Sequence, residues 1–503
     1  MKRVKLVLLL VLAVILCPKI SKAQTASIMT SFRTEREIPN TENFNAIKSM
    51  EVGDGRIVSL AHEVGSPNTR PYYVITSGEE VYPSFEHVTA SYFMLTFDGA
   101  NYFRCAYLQD ITVTDFDYDK EEDMIYFCGV YKNPNVNAID NIIGWIDVST
   151  LFNTSTNQIT LYKITPPDAT SYLKKIDFYR QYTNSSEKRL SLIANNNDDT
   201  PTTQGFADHY FPPSQFITYN LTNNSYHVLE CPDGIRLTDV IHTDTKVAVV
   251  GIQDKTHLVL FSHDQQNVDN YTGQIFETYI LYDYATDLKY SIAPLSRDYI
   301  VIGSSLIADE GHGRLEFTTF DIHSGINLMH TQAIVNPNNY MECRSKIADM
   351  EFDKGSNVLH VLAINGCTYI YLKDMILQLR PFDTTTYPSY IVVPDQTVTG
   401  YDLMKDLTLY QSNKYYLVFG TRANVQISQY ELGGNLYFFD KAAYDYPFNN
   451  SHCERNYNFN IELVPSKYIP SPMQYLAPFD YQTGGSIFLL QHTNKWYQVI
   501  CND

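Results

Sequence analysis

Short apolar segments separated by polar turn-forming residues run the length of the chain, and helical periodicity is scarce. The segments are about four to eight residues long, rich in β-branched and aromatic side chains, and bounded by Asn, Asp, Gly, Ser or Pro, as is typical of β-strands. Clear examples are residues 56–62, 124–130, 246–251, 299–303, 358–364, 415–420 and 486–491. The pattern predicts an all-β protein.

A short motif precedes several of these segments and reveals a repeat. It has four positions: any two residues, then an aspartate, then an apolar residue. Its aspartates are Asp115, Asp177, Asp239, Asp349 and Asp402. The intervals between them are 62, 62, 110 and 53 residues, so that the interval of 110 corresponds to two units. A repeat of about 50 to 60 residues with several strand candidates indicates a repeat architecture.

One repeat shows why such units must pack together. Residues 111–117, 124–130, 142–148 and 159–164 predict an antiparallel sheet of four strands. A small sheet with two apolar faces is not stable alone, whereas radial stacking buries both faces against neighbouring sheets and leaves only short edges.

This combination of period and strand number resembles the β-propeller superfamily over nearly the whole mature chain. The resemblance implies eight blades of four antiparallel strands, with seven blades as the alternative. The last unit, residues 473–501, has room for three strands, so residues 25–52 are expected to supply the fourth and close the ring. No Trp-Asp signature and no Ser-x-Asp-x-Gly-x-Thr-Trp box occurs, and therefore no subfamily is assigned and no functional residues are carried over.

The N-terminus has the pattern of a secretory signal. Basic residues at positions 2, 3 and 5 precede an apolar run over residues 6–16, and Ser21-Lys22-Ala23 follows at the spacing of a cleavage site. We therefore expect a signal peptide at residues 1–23 and one propeller domain at residues 24–503, in a protein that is secreted, periplasmic or on the cell surface. Lipidation at Cys17 is the alternative. No later segment is apolar for long enough to cross a membrane.

The charge of the chain narrows the classes of partner. The formal net charge is −19, which repels phosphate backbones and argues against a nucleic acid as partner. We expect a monomer with a protein or glycan ligand.

The cysteines fit an oxidising compartment. Of the eight cysteines, Cys17 lies in the leader, and the others show neither a CxxC motif nor zinc-ligand spacing. Cys343–Cys367 is the expected disulfide because both residues lie in one repeat. The alternative is that the cysteines are small buried apolar residues.

The repeated aspartates are the candidate site. If each opens the innermost strand of its blade, they would form a ring near one mouth of the central channel and bind a cation or a basic ligand. Calcium is the one cofactor that this pattern would favour, and otherwise no cofactor is expected. The alternative is that each carboxylate accepts backbone N–H bonds at a turn, as repeated local chemistry often reflects repeated local structure.

Residues 115–123 suggest a second arrangement of carboxylates. Alternating acids resemble the start of a calcium-binding loop, but the glycine expected at the sixth position and the glutamate expected at the twelfth are missing. In a strand, Asp115, Asp117 and Asp119 would instead share one face, and residues 120–123 would form a solvated turn.

These observations rank three functions. The first is an exported, non-catalytic binding or scaffold protein that presents ligand contacts at the channel mouth and loop rims. The second is a secreted hydrolase or lyase acting on carbohydrates through channel-lining carboxylates. The third is a structural or adhesive component of the envelope. No Gly-x-Ser-x-Gly motif occurs, and the Asn-x-Ser/Thr triplets at Asn153, Asn184, Asn220, Asn223, Asn270 and Asn449 matter only in a cell that glycosylates its exports.

Overall fold

The computed structural model describes twenty-seven segments of the chain, and the remaining residues, including the expected signal peptide and Cys17, lie outside them. The described segments are residues 33–41, 44–63, 90–97, 102–133, 138–152, 159–165, 171–181, 184–196, 214–231, 235–243, 245–253, 257–264, 274–279, 290–295, 299–307, 313–322, 326–334, 343–353, 358–367, 373–379, 389–393, 402–411, 415–424, 431–440, 473–479, 485–492 and 495–502.

The described strands form eight sheets, which we number in chain order. The first strand of the chain is β1 (Arg33–Ile38). Sheet 1 contains β2 (Phe44–Glu51), β3 (Arg56–Glu63), β4 (Ala90–Phe97) and β5 (Phe103–Gln109). Sheet 2 contains β6 (Ile111–Asp119), β7 (Met124–Asn133), β8 (Ala138–Asp147) and β9 (Thr160–Ile164). Sheet 3 contains β10 (Ser171–Gln181), β11 (Asn184–Asn196), β12 (Gln215–Asn220) and β13 (Ser225–Glu230). Sheet 4 contains β14 (Ile235–His242), β15 (Lys246–Gln253), β16 (His257–Asp264) and β17 (Gln274–Tyr279).

The second half of the chain repeats this arrangement. Sheet 5 contains β18 (Tyr290–Pro294), β19 (Tyr299–Ile307), β20 (Gly313–Asp321) and β21 (Ile326–Ile334). Sheet 6 contains β22 (Cys343–Asp353), β23 (Val358–Cys367), β24 (Lys373–Leu379) and β25 (Ser389–Val393). Sheet 7 contains β26 (Asp402–Gln411), β27 (Tyr415–Asn424) and β28 (Glu431–Asp440) among the described residues. Sheet 8 contains β29 (Met473–Phe479), β30 (Gly485–His492) and β31 (Lys495–Asn502), and β1 pairs with β31.

The strand pairing confirms that the described part of the chain is mostly β and is built from antiparallel sheets, most of them four-stranded. Sheet 2 has the order β6-β7-β8-β9, and its strands match the four segments predicted for one repeat, except that residue 148 opens a helix and residue 159 precedes β9. A single short helix, α1 (Val148–Leu151), is described, and the Asp147 side chain caps it by accepting the N–H of Thr150 at 2.9 Å. Within the described residues no helix is long and apolar enough to span a bilayer.

The seven clearest apolar segments of the sequence are all strands. Each lies in the second strand of its sheet, namely β3, β7, β15, β19, β23, β27 or β30. A second strand has a strand on either side and, in a stack of sheets, a neighbouring sheet against each face. Its residues are therefore apolar almost without interruption, which makes it the easiest strand to recognise in the sequence.

The core lies between neighbouring sheets. Phe93 of sheet 1 packs against Phe116 of sheet 2, with ring centroids 5.4 Å apart. Tyr126 of sheet 2 stacks on Phe178 of sheet 3 at 4.7 Å. Sheets 3 and 4 share a third buried cluster that includes Tyr179. Each of these sheets therefore buries apolar side chains against the next one along the chain, as the packing argument requires.

The first described strand is bound into the same core. Ile38 of β1 and Trp496 of β31 are fully buried with Ile57 and Met94 of sheet 1. The indole Nε1 of Trp496 donates to the Phe44 carbonyl oxygen at 3.1 Å. Contacts also join β29 to β2, in addition to those between each sheet and the next.

Candidate functional site

A β-bulge marks the first strand of most sheets and sets the position of the charged side chains. In five first strands the register of pairing with the second strand shifts by one residue. The shift lies at Ala46/Lys48 in β2, Val113/Asp115 in β6, Leu173/Lys175 in β10, Leu237/Asp239 in β14 and Ile347/Asp349 in β22. The residue after the bulge is charged in all five strands, and a bulge bends its strand and redirects the side chains that follow.

The register also shows that the five repeated aspartates do not occupy one equivalent position. Asp115, Asp239 and Asp349 follow their bulges directly. Lys175 takes that position in sheet 3, and Asp177 lies two residues later. Asp402 is the first residue of β26, ahead of the shift between Lys405 and Thr408. The motif alone gave a false alignment because acidic and apolar residues alternate along these strands, so that the same pattern fits two positions.

Asp115 connects three sheets. Its Oδ1 accepts a hydrogen bond from Lys48 Nζ of sheet 1 at 2.6 Å, and its Oδ2 accepts one from the backbone N–H of Ile176 in sheet 3 at 3.1 Å. Lys48 Nζ also donates to the Phe116 carbonyl oxygen at 2.7 Å. The Asp115 side chain is only 5% exposed, so the ion pair lies in the seam between sheets.

Three alternate acids of β6 bond to alternate residues of β10. Asp115 accepts the Ile176 N–H, Asp117 Oδ2 accepts the Phe178 N–H at 2.7 Å, and Asp119 pairs with the Arg180 guanidinium at 2.5 Å. The acids therefore share one face of the strand, and residues 120–123 form the turn, as the strand interpretation predicted. Their carboxylate oxygens accept N–H bonds instead of forming a calcium loop.

The same reach from one sheet to the next recurs between sheets 3 and 4. Asp177 Oδ2 lies 2.6 Å from His242 Nδ1, and the Tyr179 ring lies 5.4 Å from the imidazole, centroid to centroid. The side chains of Asp177 and His242 are 21% and 34% exposed, so this pair is partly accessible to solvent.

The negative charge of Asp177 acts on the titration of Asp117. Burial, and next the negative charge of Asp177, raise the pKa of Asp117 from 3.8 to about 6, although the N–H groups of Phe178 and Tyr118 lower it. Asp117 therefore exchanges its proton at a higher pH than an ordinary aspartate does.

Asp239 is held in a similar environment. Its Oδ1 accepts the Val240 N–H at 3.0 Å. Burial raises the pKa of Asp239, the Lys175 ammonium lowers it, and the carboxylates of Asp177 and Asp115 raise it further. Asp115, Asp177 and Asp239 therefore lie close enough to interact electrostatically. The backbones of Asp349 and Asp402 are in β22 and β26, and their side chains lie outside the described residues.

Polar side chains that no sequence motif marks also join successive sheets. In three sheets the residue just ahead of the bulge donates its backbone N–H to a side chain of the preceding sheet at 2.9 Å. The pairs are Val113 with Ser91 Oγ, Leu173 with Asn141 Oδ1 and Leu237 with Ser214 Oγ. A small residue lies opposite the residue before the bulge in five sheets, and these residues are Ala61, Gly129, Ala194, Gly251 and Ala363. This recurring small residue is the signal that could have aligned the repeats correctly.

No group of three or more metal-ligating side chains is present within the part of the chain that the structure describes. The calcium expectation for Asp115, Asp177, Asp239, Asp349 and Asp402 stays a prediction, because two of these side chains are outside that part.

Successive antiparallel sheets that bury both faces against their neighbours are the arrangement of a propeller. The chain resembles the β-propeller superfamily. Solved structures similar to this chain include the β-propeller domain of the Trilobed protease from Pyrococcus furiosus. The identity is 9%, the alignment covers 77% of this chain and 93% of that one, and the TM-score is 0.37. The WD40 domain of SCAP from fission yeast has 7% identity, coverage of 93% and 98%, and a TM-score of 0.41. A prolyl endopeptidase has 8% identity and a TM-score of 0.42, and the alignment covers 90% of this chain and 55% of the peptidase. No family model and no curated protein matches the chain.

Proposed function

We propose that the chain is an exported, non-catalytic binding or scaffold protein whose eight sheets close into a ring through β1. The observation that carries this proposal is the use of the acidic side chains. The carboxylates of Asp115, Asp117 and Asp119 are bound to N–H donors of the next sheet. Groups used in this way hold the sheets in fixed relative positions and leave ligand contacts to the connecting loops.

Two observations support the closure of the ring. β1 pairs with β31 over six residues, from Arg33 opposite Cys501 to Ile38 opposite Trp496. β29 of the last sheet contacts β2 of the first. A ring closed by strands from both ends of the chain has no unpaired sheet at its junction, which suits a stable extracellular scaffold.

The export part of the proposal rests on the leader. The signal at residues 1–23 predicts a mature chain beginning at Gln24, and Cys17 would remain only if lipidation replaced this cleavage. N-terminal sequencing of the protein from its own envelope and culture medium distinguishes the two, and an uncleaved cytoplasmic chain would overturn the assignment to an exported protein.

Binding without turnover is tested on the mature protein. We expect it to retain a defined glycan from an array, or a defined protein from its own envelope fraction, and to leave that ligand chemically unchanged on prolonged incubation. Mass spectrometry of the recovered ligand is the measurement. Cleavage of the ligand by the purified protein would replace the scaffold proposal with a catalytic one.

One observation favours the second function, a carbohydrate-active hydrolase or lyase. The Asp117 carboxyl group has a pKa raised to about 6 beside a second carboxylate, which is how general acids are tuned in glycosidases. If the two carboxylates are catalytic, Asp117→Asn and Asp177→Asn each abolish turnover of a polysaccharide panel, whereas Asp54→Asn on an exposed turn leaves it unchanged. Absence of turnover by the unsubstituted protein across the panel is the result that the scaffold proposal predicts.

A further inference from the structure

Two glycosylation triplets lie in tandem at one turn of sheet 3. Asn220-Leu221-Thr222 begins at the last residue of β12, and Asn223-Asn224-Ser225 ends at the first residue of β13. Both have the Asn-x-Ser/Thr pattern that accepts an N-linked oligosaccharide. The sequence does not distinguish them, whereas their surroundings differ.

Asn220 is bound into the protein interior. Its side chain is buried, with 5% of the residue exposed. Its Nδ2, the atom that would carry the glycan, donates to Glu187 Oε1 at 3.0 Å, and its Oδ1 accepts the Thr222 N–H at 2.8 Å. Glu187 also pairs with Arg189, a buried cation. A glycan on Asn220 Nδ2 would have to displace Glu187 from this buried network, so a chain modified there would not reach the described fold.

Asn223 is arranged in the opposite way. The residue is exposed at the tip of the turn. Its Oδ1 accepts both the Ser225 N–H at 3.0 Å and the Ser225 hydroxyl at 2.6 Å. Both bonds are made by the amide oxygen, so that substitution of Nδ2 would leave them intact. The next residue, Asn224, has a φ of 56°, which turns the chain sharply and holds Asn223 away from the sheet.

We infer that Asn223 carries an N-linked oligosaccharide in the exported protein and that Asn220 does not. The donor is a polyprenyl-diphosphate-linked oligosaccharide. Asn223 Nδ2 forms a bond to the anomeric carbon, the bond from that carbon to the diphosphate oxygen breaks, the polyprenyl diphosphate leaves and the amide loses one proton to the transferase. This inference rests on the export part of the proposed function, because the donor and transferase act in the secretory pathway.

The test is site-by-site glycan occupancy in the secreted full chain. The chain is produced in a eukaryotic secretory host, once with its own leader and once with a leader known to be active in that host. Peptide mapping after enzymatic deglycosylation in heavy-oxygen water converts each glycosylated Asn to a labelled Asp and reports each site separately. We expect label at Asn223 and none at Asn220.

Two variants of the triplets provide matched controls. Ser225→Ala removes the second triplet and should lower the mass of the secreted protein by one glycan, whereas Thr222→Ala removes the first and should leave the mass unchanged apart from the substitution. Label at Asn220, or an unlabelled Asn223 in the secreted chain, would overturn the inference. If the chain is secreted with the substitute leader but not with its own, the assignment to an exported protein is overturned. If Asn223 is labelled in that secreted chain, the assignment of the glycan is upheld.

Discussion

Charged side chains in this protein act mainly across the seams between sheets. Lys48, Asp115 and the backbone of Ile176 belong to three different sheets and meet at one buried carboxylate. A buried ion pair contributes little over an apolar pair of the same shape, but the loss of one partner leaves a desolvated charge and is costly. The contribution of each charged side chain to the stability of the fold therefore depends on how deeply it is buried.

Lys48→Met tests this dependence. We expect the substitution to lower the free energy of unfolding by about 2 kcal/mol, because the Asp115 carboxylate loses its cation in a seam where it is 5% exposed. Lys163→Met is the matched control, since Lys163 also pairs with an aspartate but is 58% exposed, and it should change the stability by less than about 0.5 kcal/mol. Equal effects of the two substitutions in chemical denaturation would contradict the buried role of Lys48.

Asp117 gives the protein a predictable dependence on pH. Its pKa in the folded state, about 6, lies above the ordinary value of 3.8. The folded state therefore binds this proton more tightly than the unfolded chain, and the stability gained at low pH is lost as the pH rises through about 6.

Asp117→Asn should remove that part of the pH dependence. Between pH 5 and pH 7 the unsubstituted protein is expected to lose on the order of 1 kcal/mol more stability than the variant. Melting temperatures measured in steps across this range provide the comparison, and Asp54→Asn on an exposed turn should retain the slope of the unsubstituted protein. A variant whose slope equals that of the unsubstituted protein would show that the proton binds elsewhere.

At the scale of single strands, the bulge and the small residue opposite it act together. A Cβ atom added at Gly129 would lie 2.1 Å from the backbone oxygen of Thr112, which is closer than any real contact. Gly129→Ala should therefore move β6 against β7 and lower the free energy of unfolding by about 2 kcal/mol. Ala194 holds the equivalent position in sheet 3, and Ala194→Gly should cost about 1 kcal/mol or less. A Gly129→Ala variant as stable as the unsubstituted protein would contradict this close approach.

The register of sheet 6 sharpens the expectation of a disulfide. Cys343 and Cys367 are direct partners in the antiparallel pair of β22 and β23. Directly opposed residues have Cα atoms about 4.5 to 5.5 Å apart, which is within the range that a disulfide spans. We predict a Cys343–Cys367 linked peptide in a non-reducing digest of the protein recovered from an oxidising compartment, and its replacement by two free thiols in an otherwise identical sample would contradict the pairing.

The strands could be predicted from the sequence, and their register could not. The second strands, such as β7 and β15, are nearly continuous apolar segments, so their positions and their repeat are visible in the chain. A bulge adds one residue without changing the local pattern of acidic and apolar residues. The repeated motif therefore aligns Asp177 with Asp115, although the residue equivalent to Asp115 in sheet 3 is Lys175. The partners of these acids, Lys48 and His242, lie 67 and 65 residues away in other sheets, and no local signal connects them.

The architecture of the whole molecule is explained by the fact that no single small sheet can bury its own apolar faces. Sheets 1 to 4 share apolar clusters in each of their seams, and Trp496 of the last sheet is buried against the first. In the proposed ring every sheet has two neighbours, and β1 shares sheet 8 with β29, β30 and β31. Such a molecule exposes mainly its strand connections, which is where a scaffold would bind its ligands.

Disulfide trapping between β1 and β31 tests the closed ring most directly. Thr34 and Ile500 are direct partners in this pair, so the double variant Thr34→Cys/Ile500→Cys in a Cys501→Ser background should form an intramolecular bond under mild oxidation. Thr34→Cys/Asn502→Cys places the thiols diagonally, farther apart than a disulfide spans, and should stay reduced. Equal cross-linking of both pairs, or of neither, would show that the ends of the chain do not meet in one sheet.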